Sequence, residues 1–100
     1  MAVREFIFTA MIRSYKISIK GKVQGVNYRY TAQAMAHQLN LTGFVQNEHD
    51  GSVLAHAEGE EENVQKFIDW CNIGPKDADV TEVKPEEQEP QGYQTFEIKR

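Results

Sequence analysis

Apolar and polar residues alternate from Ser14 to Lys20 and put Tyr15, Ile17 and Ile19 on one side, the pattern of a half-buried strand. From Tyr28 to Asn40 the period lengthens. Tyr28, Ala32, Met35, Ala36 and Leu39 form the apolar stripe of a helix, which Asn40 ends. Thr42 to Asn47 reads as a short strand, Glu48-His49-Asp50-Gly51 as a hairpin turn, and Ser52 to Glu58 as the returning strand. Val53, Ala55 and Ala57 face inward there. Leu54 and His56 face the other way, and His56 reads as a surface residue. Gly59-Glu60-Glu61-Glu62 opens a second helix with acids at its positive dipole end. Val64, Phe67, Ile68 and Cys71 are its buried stripe, and Gly74-Pro75 stops it. Asp79 to Lys84 predicts a further strand, Pro85 to Gly92 an acidic loop, and Tyr93 to Ile98 a last strand with Phe96 and Ile98 inward.

The order β-α-β-β-α-β with one more short strand predicts an α+β sandwich. Two helices cover one face of a mostly antiparallel sheet in a ferredoxin-like topology. At 100 residues the chain makes one domain with one modest core. Residues 1–12 read as an N-terminal extension outside that core, and 13–100 as the domain. Phe6 to Ile12 is apolar but too short to span a bilayer, and no convincing cleavage site follows it. The segment reads as a frayed arm or as extra coding sequence ahead of a start at Met11.

A net charge of −4 argues against a general nucleic-acid binder. It also means that an anion site must be charged locally, and Lys20, Lys22 and Arg29 supply that charge. Cys71 is the only cysteine, so no intrachain disulfide forms, which fits a reducing cytoplasm. As a residue on an apolar helix stripe, it reads as core rather than as a nucleophile. His37, His49 and His56 follow no metal-ligand spacing, and no metal is expected.

The run Gly21-Lys22-Val23-Gln24-Gly25-Val26-Asn27-Tyr28-Arg29 lies between the first strand and the first helix. Its glycines let the backbone turn tightly and bring N–H groups close to a ligand. The helix that follows adds free N–H groups and a positive dipole end, and Arg29 adds a guanidinium. Together these suit a small tetrahedral anion such as phosphate. They equally suit an ordinary β-to-α turn with a surface arginine. Asn47, before the hairpin turn, is placed by the topology to reach an anion held by Arg29, or only to shape the turn.

This loop, followed by Gly43-Phe44-Val45-Gln46-Asn47, resembles the two-part signature of the acylphosphatases. The resemblance continues through Asp50-Gly51-Ser52-Val53, Ala57-Glu58-Gly59, Gly74-Pro75 and Phe96-Glu97-Ile98, and spans about residues 14 to 100. It implies a metal-free, cofactor-free enzyme of the ferredoxin-like fold that hydrolyses the carboxyl–phosphate bond of acyl phosphates. By similarity, Arg29 binds the phosphoryl group and Asn47 positions the attacking water. Backbone N–H groups of Val23, Gln24, Gly25, Val26, Asn27 and Tyr28 cradle the oxygens. Inorganic phosphate is then both product and inhibitor, and a cytoplasmic monomer with no membrane or nucleic-acid partner is expected. Asn27 stands where many members carry Gly, and Tyr28 replaces the commoner Phe and adds a hydroxyl that needs a partner. An alternative is a non-catalytic anion-binding regulatory module of the same fold. RNA recognition is disfavoured, because the strand Ser52 to Glu58 has no aromatic residue on which to stack a base.

Overall fold

The computed structural model describes residues 12–100. Seven elements follow in order: β1 (Ile12–Lys22), α1 (Tyr28–Gln38), β2 (Thr42–Asn47), β3 (Val53–Glu60), α2 (Glu61–Cys71), β4 (Asp79–Gln88) and β5 (Phe96–Lys99). The strands form one sheet in the order β4-β1-β3-β2-β5. All neighbours are antiparallel except β2 and β5, which run parallel. Both helices lie on one face, so the α+β, ferredoxin-like βαββαβ arrangement predicted from the sequence is the observed one.

The core sits between that face and the helices. Ile17, Ile19, Val45, Val53, Ala55 and Ala57 project from the sheet onto Ala32 and Ala36 of α1 and onto Val64, Phe67 and Cys71 of α2. The small alanines at the middle of α1 let it sit close to the strands. Asn40, at φ 56°, turns the chain out of α1, as its place after the apolar stripe predicts. Gly74 does the same after α2 at φ 70°, with its N–H donating to the Trp70 carbonyl at 2.8 Å.

Four boundaries differ from the sequence reading. Ile12, expected outside the core, pairs with Glu60 at the start of β1, and residues 1–11 lie outside the described residues. Gly59 and Glu60, expected to open the second helix, stay in β3 opposite Arg13 and Ile12, and the helix begins at Glu61. The acidic segment after Pro85 is strand as far as Gln88, not loop. β4 is an edge strand, and proline is tolerated where the missing N–H would face outward. Finally, β5 starts at Phe96 rather than Tyr93. Residues 89–95 instead cross the helix-free face of the sheet. Both carboxylate oxygens of Glu58 accept N–H groups there, Gln91 at 2.6 Å and Gly92 at 2.9 Å. His56 is therefore not a free surface residue. It is half-buried, stacks on Phe44 at 4.3 Å between ring centroids, and its Nδ1 lies 2.8 Å from the Tyr93 hydroxyl.

Candidate active site

β1 and β2 both flank β3 in antiparallel register, so they run the same way and end at the same end of the sheet. Val53 of β3 pairs with Ile19 on one side and with Asn47 on the other. The loop that leaves β1 therefore starts near the end of β2, which carries Asn47. β5, parallel to β2, brings Lys99 to the same end opposite Gln46.

Each side chain of the loop has a different anchor. Val23 is buried in the core. Gln24 donates from Nε2 to the carbonyl oxygens of Glu48 and Ser52, both at 2.8 Å, and so staples the loop to the β2–β3 hairpin. The turn itself is closed by Asp50, whose Oδ1 accepts the Ser52 N–H at 2.9 Å and its hydroxyl at 2.6 Å. Those hydrogen bonds hold the Asp50 carboxyl below its ordinary range. Gly25 sits at φ 74°, where a side chain is strained. Val26 packs against the edge of the core. Asn27 occupies the left-handed region at φ 66°, ψ 24°, which explains why glycine also serves there. Tyr28 is almost fully buried against Trp70, and its hydroxyl donates to the Cys71 carbonyl at 2.8 Å. The extra hydroxyl thus takes up an orphan carbonyl at the end of α2. Burial raises the Tyr28 pKa well above the ordinary phenol value and pushes the Cys71 thiol up to about 12. Both are chemically silent, as a core role for Cys71 requires.

Two features leave this end uncompensated from within the chain. α1 has no side-chain cap and no acid in its first turn, whereas α2 carries Glu61 and Glu62 there. Among the described residues, no hydrogen bond uses the N–H groups of Gln24 to Asn27. The first helical N–H groups, from Tyr28 onward, lack partners by helix geometry. Free donors and an uncompensated dipole end converge on one place.

A cavity of about 160 Å³ lies there, lined by Val23, Gly25, Asn27, Tyr28, Arg29, Tyr30 and Asn47. At about 30 Å³ per water it has room for a small anion and a few waters. Arg29 is half-buried, with Nη1 3.5 Å from the Lys99 carbonyl oxygen, the long limit of a hydrogen bond. Among the described residues it has no carboxylate partner. Asn47 Oδ1 is the one buried side-chain polar atom among the described residues that lacks a hydrogen-bond partner. Such an atom costs about 1–3 kcal/mol unless something donates to it.

Of the residues expected at one site, Arg29, Asn47, Val23, Gly25, Asn27 and Tyr28 line the cavity, and Gln24 and Val26 do not. Neither Lys20 nor Lys22 lies on the cavity wall. Lys20 lies on the helix-free side, where its charge acts on Asp50. Tyr30 was missed. Its place one residue after Arg29, on the outward side of the first helical turn, was the available signal. A larger and more open hollow of about 590 Å³ on the helix-free face is lined by Lys16, Lys84, Glu48, Asp50 and Glu86 among others. The carboxylates of Glu48, Asp50 and Glu86 on its wall make it the poorer anion site. Among the described residues no three His, Cys, Asp or Glu side chains gather as metal ligands. No helix there is long and apolar enough to cross a membrane.

The family model for Acylphosphatase matches residues 15–98. The chain is 43% identical over 88 residues to an acylphosphatase of Thermotoga maritima, covering 88% of this chain and 98% of that one. The fold superposes on an acylphosphatase of Coxiella burnetii with a TM-score of 0.88 at 32% identity, covering 91% of this chain and 96% of the other. The acylphosphatase of Bacillus subtilis gives a TM-score of 0.86 at 35% identity, with 90% and 100% covered.

Proposed function

The chain belongs to the acylphosphatase family and is an enzyme that hydrolyses acyl phosphates, and we propose that Arg29, the Val23–Tyr28 loop and Asn47 carry the reaction without a metal or cofactor. The observation that carries this assignment is the buried, unpartnered Asn47 Oδ1 beside a cavity that also holds Arg29. An amide oxygen in that position accepts a hydrogen bond from a water and turns the water's lone pair toward phosphorus.

The chemistry needs little else. An acyl phosphate is a mixed anhydride, and its leaving group is a carboxylate whose conjugate acid has a pKa of about 4. That group departs unprotonated at neutral pH, so no general acid is required. Arg29 bridges two phosphoryl oxygens in a planar fork, and the loop N–H groups take the remaining charge. The water held by Asn47 forms the new P–O bond in line with the bond that breaks, and the carboxylate leaves with the bonding electron pair. The water's proton passes to a phosphoryl oxygen, since Asn cannot accept it. The products are a carboxylate and inorganic phosphate. Phosphate occupies the same cradle and inhibits competitively. A monomer in a reducing cytoplasm completes the proposal, supported by a single buried free thiol.

The test is phosphate release from acetyl phosphate in the presence of a chelator, with a phosphate monoester as control. Turnover is expected with the first and not with the second. Asn47→Ala should lower kcat by about 10²–10³, the scale of losing one oriented polar group, while phosphate affinity stays within a few-fold. Loss of phosphate binding together with activity would move Asn47 into the anion cradle. Activity lost in chelator and restored by a divalent ion would sink the metal-free mechanism.

A further inference from the structure

Beyond the phosphate cradle, the cavity rim carries charge that the hydrolytic step does not use. Tyr30 lines the cavity and is 52% exposed. Its hydroxyl oxygen accepts a hydrogen bond from Arg100 Nη2 at 3.1 Å, and the Arg100 guanidinium carbon lies 6.0 Å from the centre of the Tyr30 ring. The Tyr30 hydroxyl is lowered below the ordinary phenol value, first by the Arg100 hydrogen bond and charge and further by Arg29. Both guanidiniums therefore act on one phenol. Among the described residues neither has a carboxylate partner. Both stand out on a chain of net charge −4.

Arg29 is occupied by the phosphoryl group when substrate is bound, in the assignment on which this inference rests. Arg100, hydrogen-bonded to Tyr30 of the cavity wall, then remains as a cation beside the occupied cradle. Its five N–H donors are only partly used by the phenol, and its remaining edge fits a carboxylate in two parallel hydrogen bonds. We propose that Arg100, held in place by Tyr30, selects acyl phosphates whose acyl chain carries a second carboxylate. Tyr30 is the positioning residue: its hydroxyl and ring fix the guanidinium at the rim. Arg100 is the specificity-determining residue.

The experiment compares succinyl phosphate, which bears a free terminal carboxylate, with its methyl ester, which is nearly the same size and lacks the charge. The readout is the ratio of their kcat/KM values. In the parent enzyme the free acid is expected to be preferred. Arg100→Gln should shrink that ratio roughly three- to fivefold, the scale of one exposed ion pair, through KM rather than kcat. Arg100→Lys should retain part of the preference, and Tyr30→Phe should lose part of it. Raising the ionic strength should shrink the ratio in the parent and leave it unchanged in Arg100→Gln. A ratio unaffected by Arg100→Gln, or equal losses on both substrates, would overturn the proposal while leaving the phosphate cradle intact. Failure of the parent to hydrolyse either substrate would instead overturn the assignment on which it rests.

Discussion

Arg29 and Asn27 occupy neighbouring positions and are constrained for opposite reasons. Arg29 has no carboxylate partner among the described residues, and its value lies in geometry. Lys at that position keeps the charge but loses the fork. Arg29→Lys should therefore lose most turnover, and phosphate affinity should weaken by the roughly 1.5–3 kcal/mol of one charge-assisted contact. Kinetics and phosphate inhibition measured together check this, and near-normal activity would show that the fork is not needed. Asn27 is constrained in its backbone. Its left-handed φ of 66° costs an ordinary residue about 1 kcal/mol or more. Asn27→Ala should lower stability by about that amount, and Asn27→Gly should not, as urea unfolding of the two variants will show. Both residues were legible in the sequence because a loop between a strand and a helix advertises them. Tyr30 was not, since its role depends on Arg100, which lies 70 positions away.

Among elements, the loop after β1 depends on a hairpin to which it has no backbone connection. Gln24 makes that link with one amide nitrogen shared by two carbonyls. Those carbonyls keep other donors: Gly51 N–H for Glu48 and Glu48 N–H for Ser52. Replacing Gln24 by Met should cost only about 1–2 kcal/mol of stability. Yet it frees the cradle to drift relative to Asn47, and a misplacement near 1 Å costs about 10² in rate. We expect kcat/KM to fall roughly ten- to hundredfold in a well-folded variant. A loss of stability with unchanged kinetics would show that the staple is only structural. The elements themselves were readable where periodicity was clean, as in β1, α1, β2 and β3. β4 past Pro85 was hidden, because proline and acidic residues ordinarily mark a loop. Only the edge position of the strand makes them acceptable. The start of β5 was misread for a different reason. Tyr93 belongs by pattern to a strand, but its hydroxyl is drawn to His56 and the strand begins later.

Across the whole molecule, the segment at residues 89–95 makes stability sensitive to acid. His56 is held below its ordinary value by burial and by the charges of Lys16 and Lys99. Below about pH 6.5 the unfolded chain takes up a proton that the folded chain resists. Stability is therefore full above that pH and falls as the pH drops from about 6.5 toward the depressed value. Glu58 adds a second step. Its burial opposes ionisation, but the N–H groups of Gln91, Gly92 and Tyr93 and the Ser14 hydroxyl outweigh it and hold its pKa below the ordinary carboxylate value. That contribution is present above about pH 4.3 and is lost as the pH falls through the folded value. Urea midpoints between pH 8 and pH 3 should show both declines. His56→Phe, which keeps the stack on Phe44, should flatten the upper one, and Glu58→Gln the lower.

β1 lies inside the sheet, between β4 and β3, and its hydrogen-bonded partners are remote in the chain. Ser14 pairs with Glu58 on one side and with Gln88 on the other. Neither pairing forms until a loop of many tens of residues has closed, and that search is entropically slow. The helices can flicker into existence early, but the cradle cannot, because its two anchors belong to β1 and to the β2–β3 hairpin. Catalytic competence is therefore a property of the last stage of folding. A chain released from denaturant should regain helical signal ahead of its activity, and activity should return in step with the packing around Trp70.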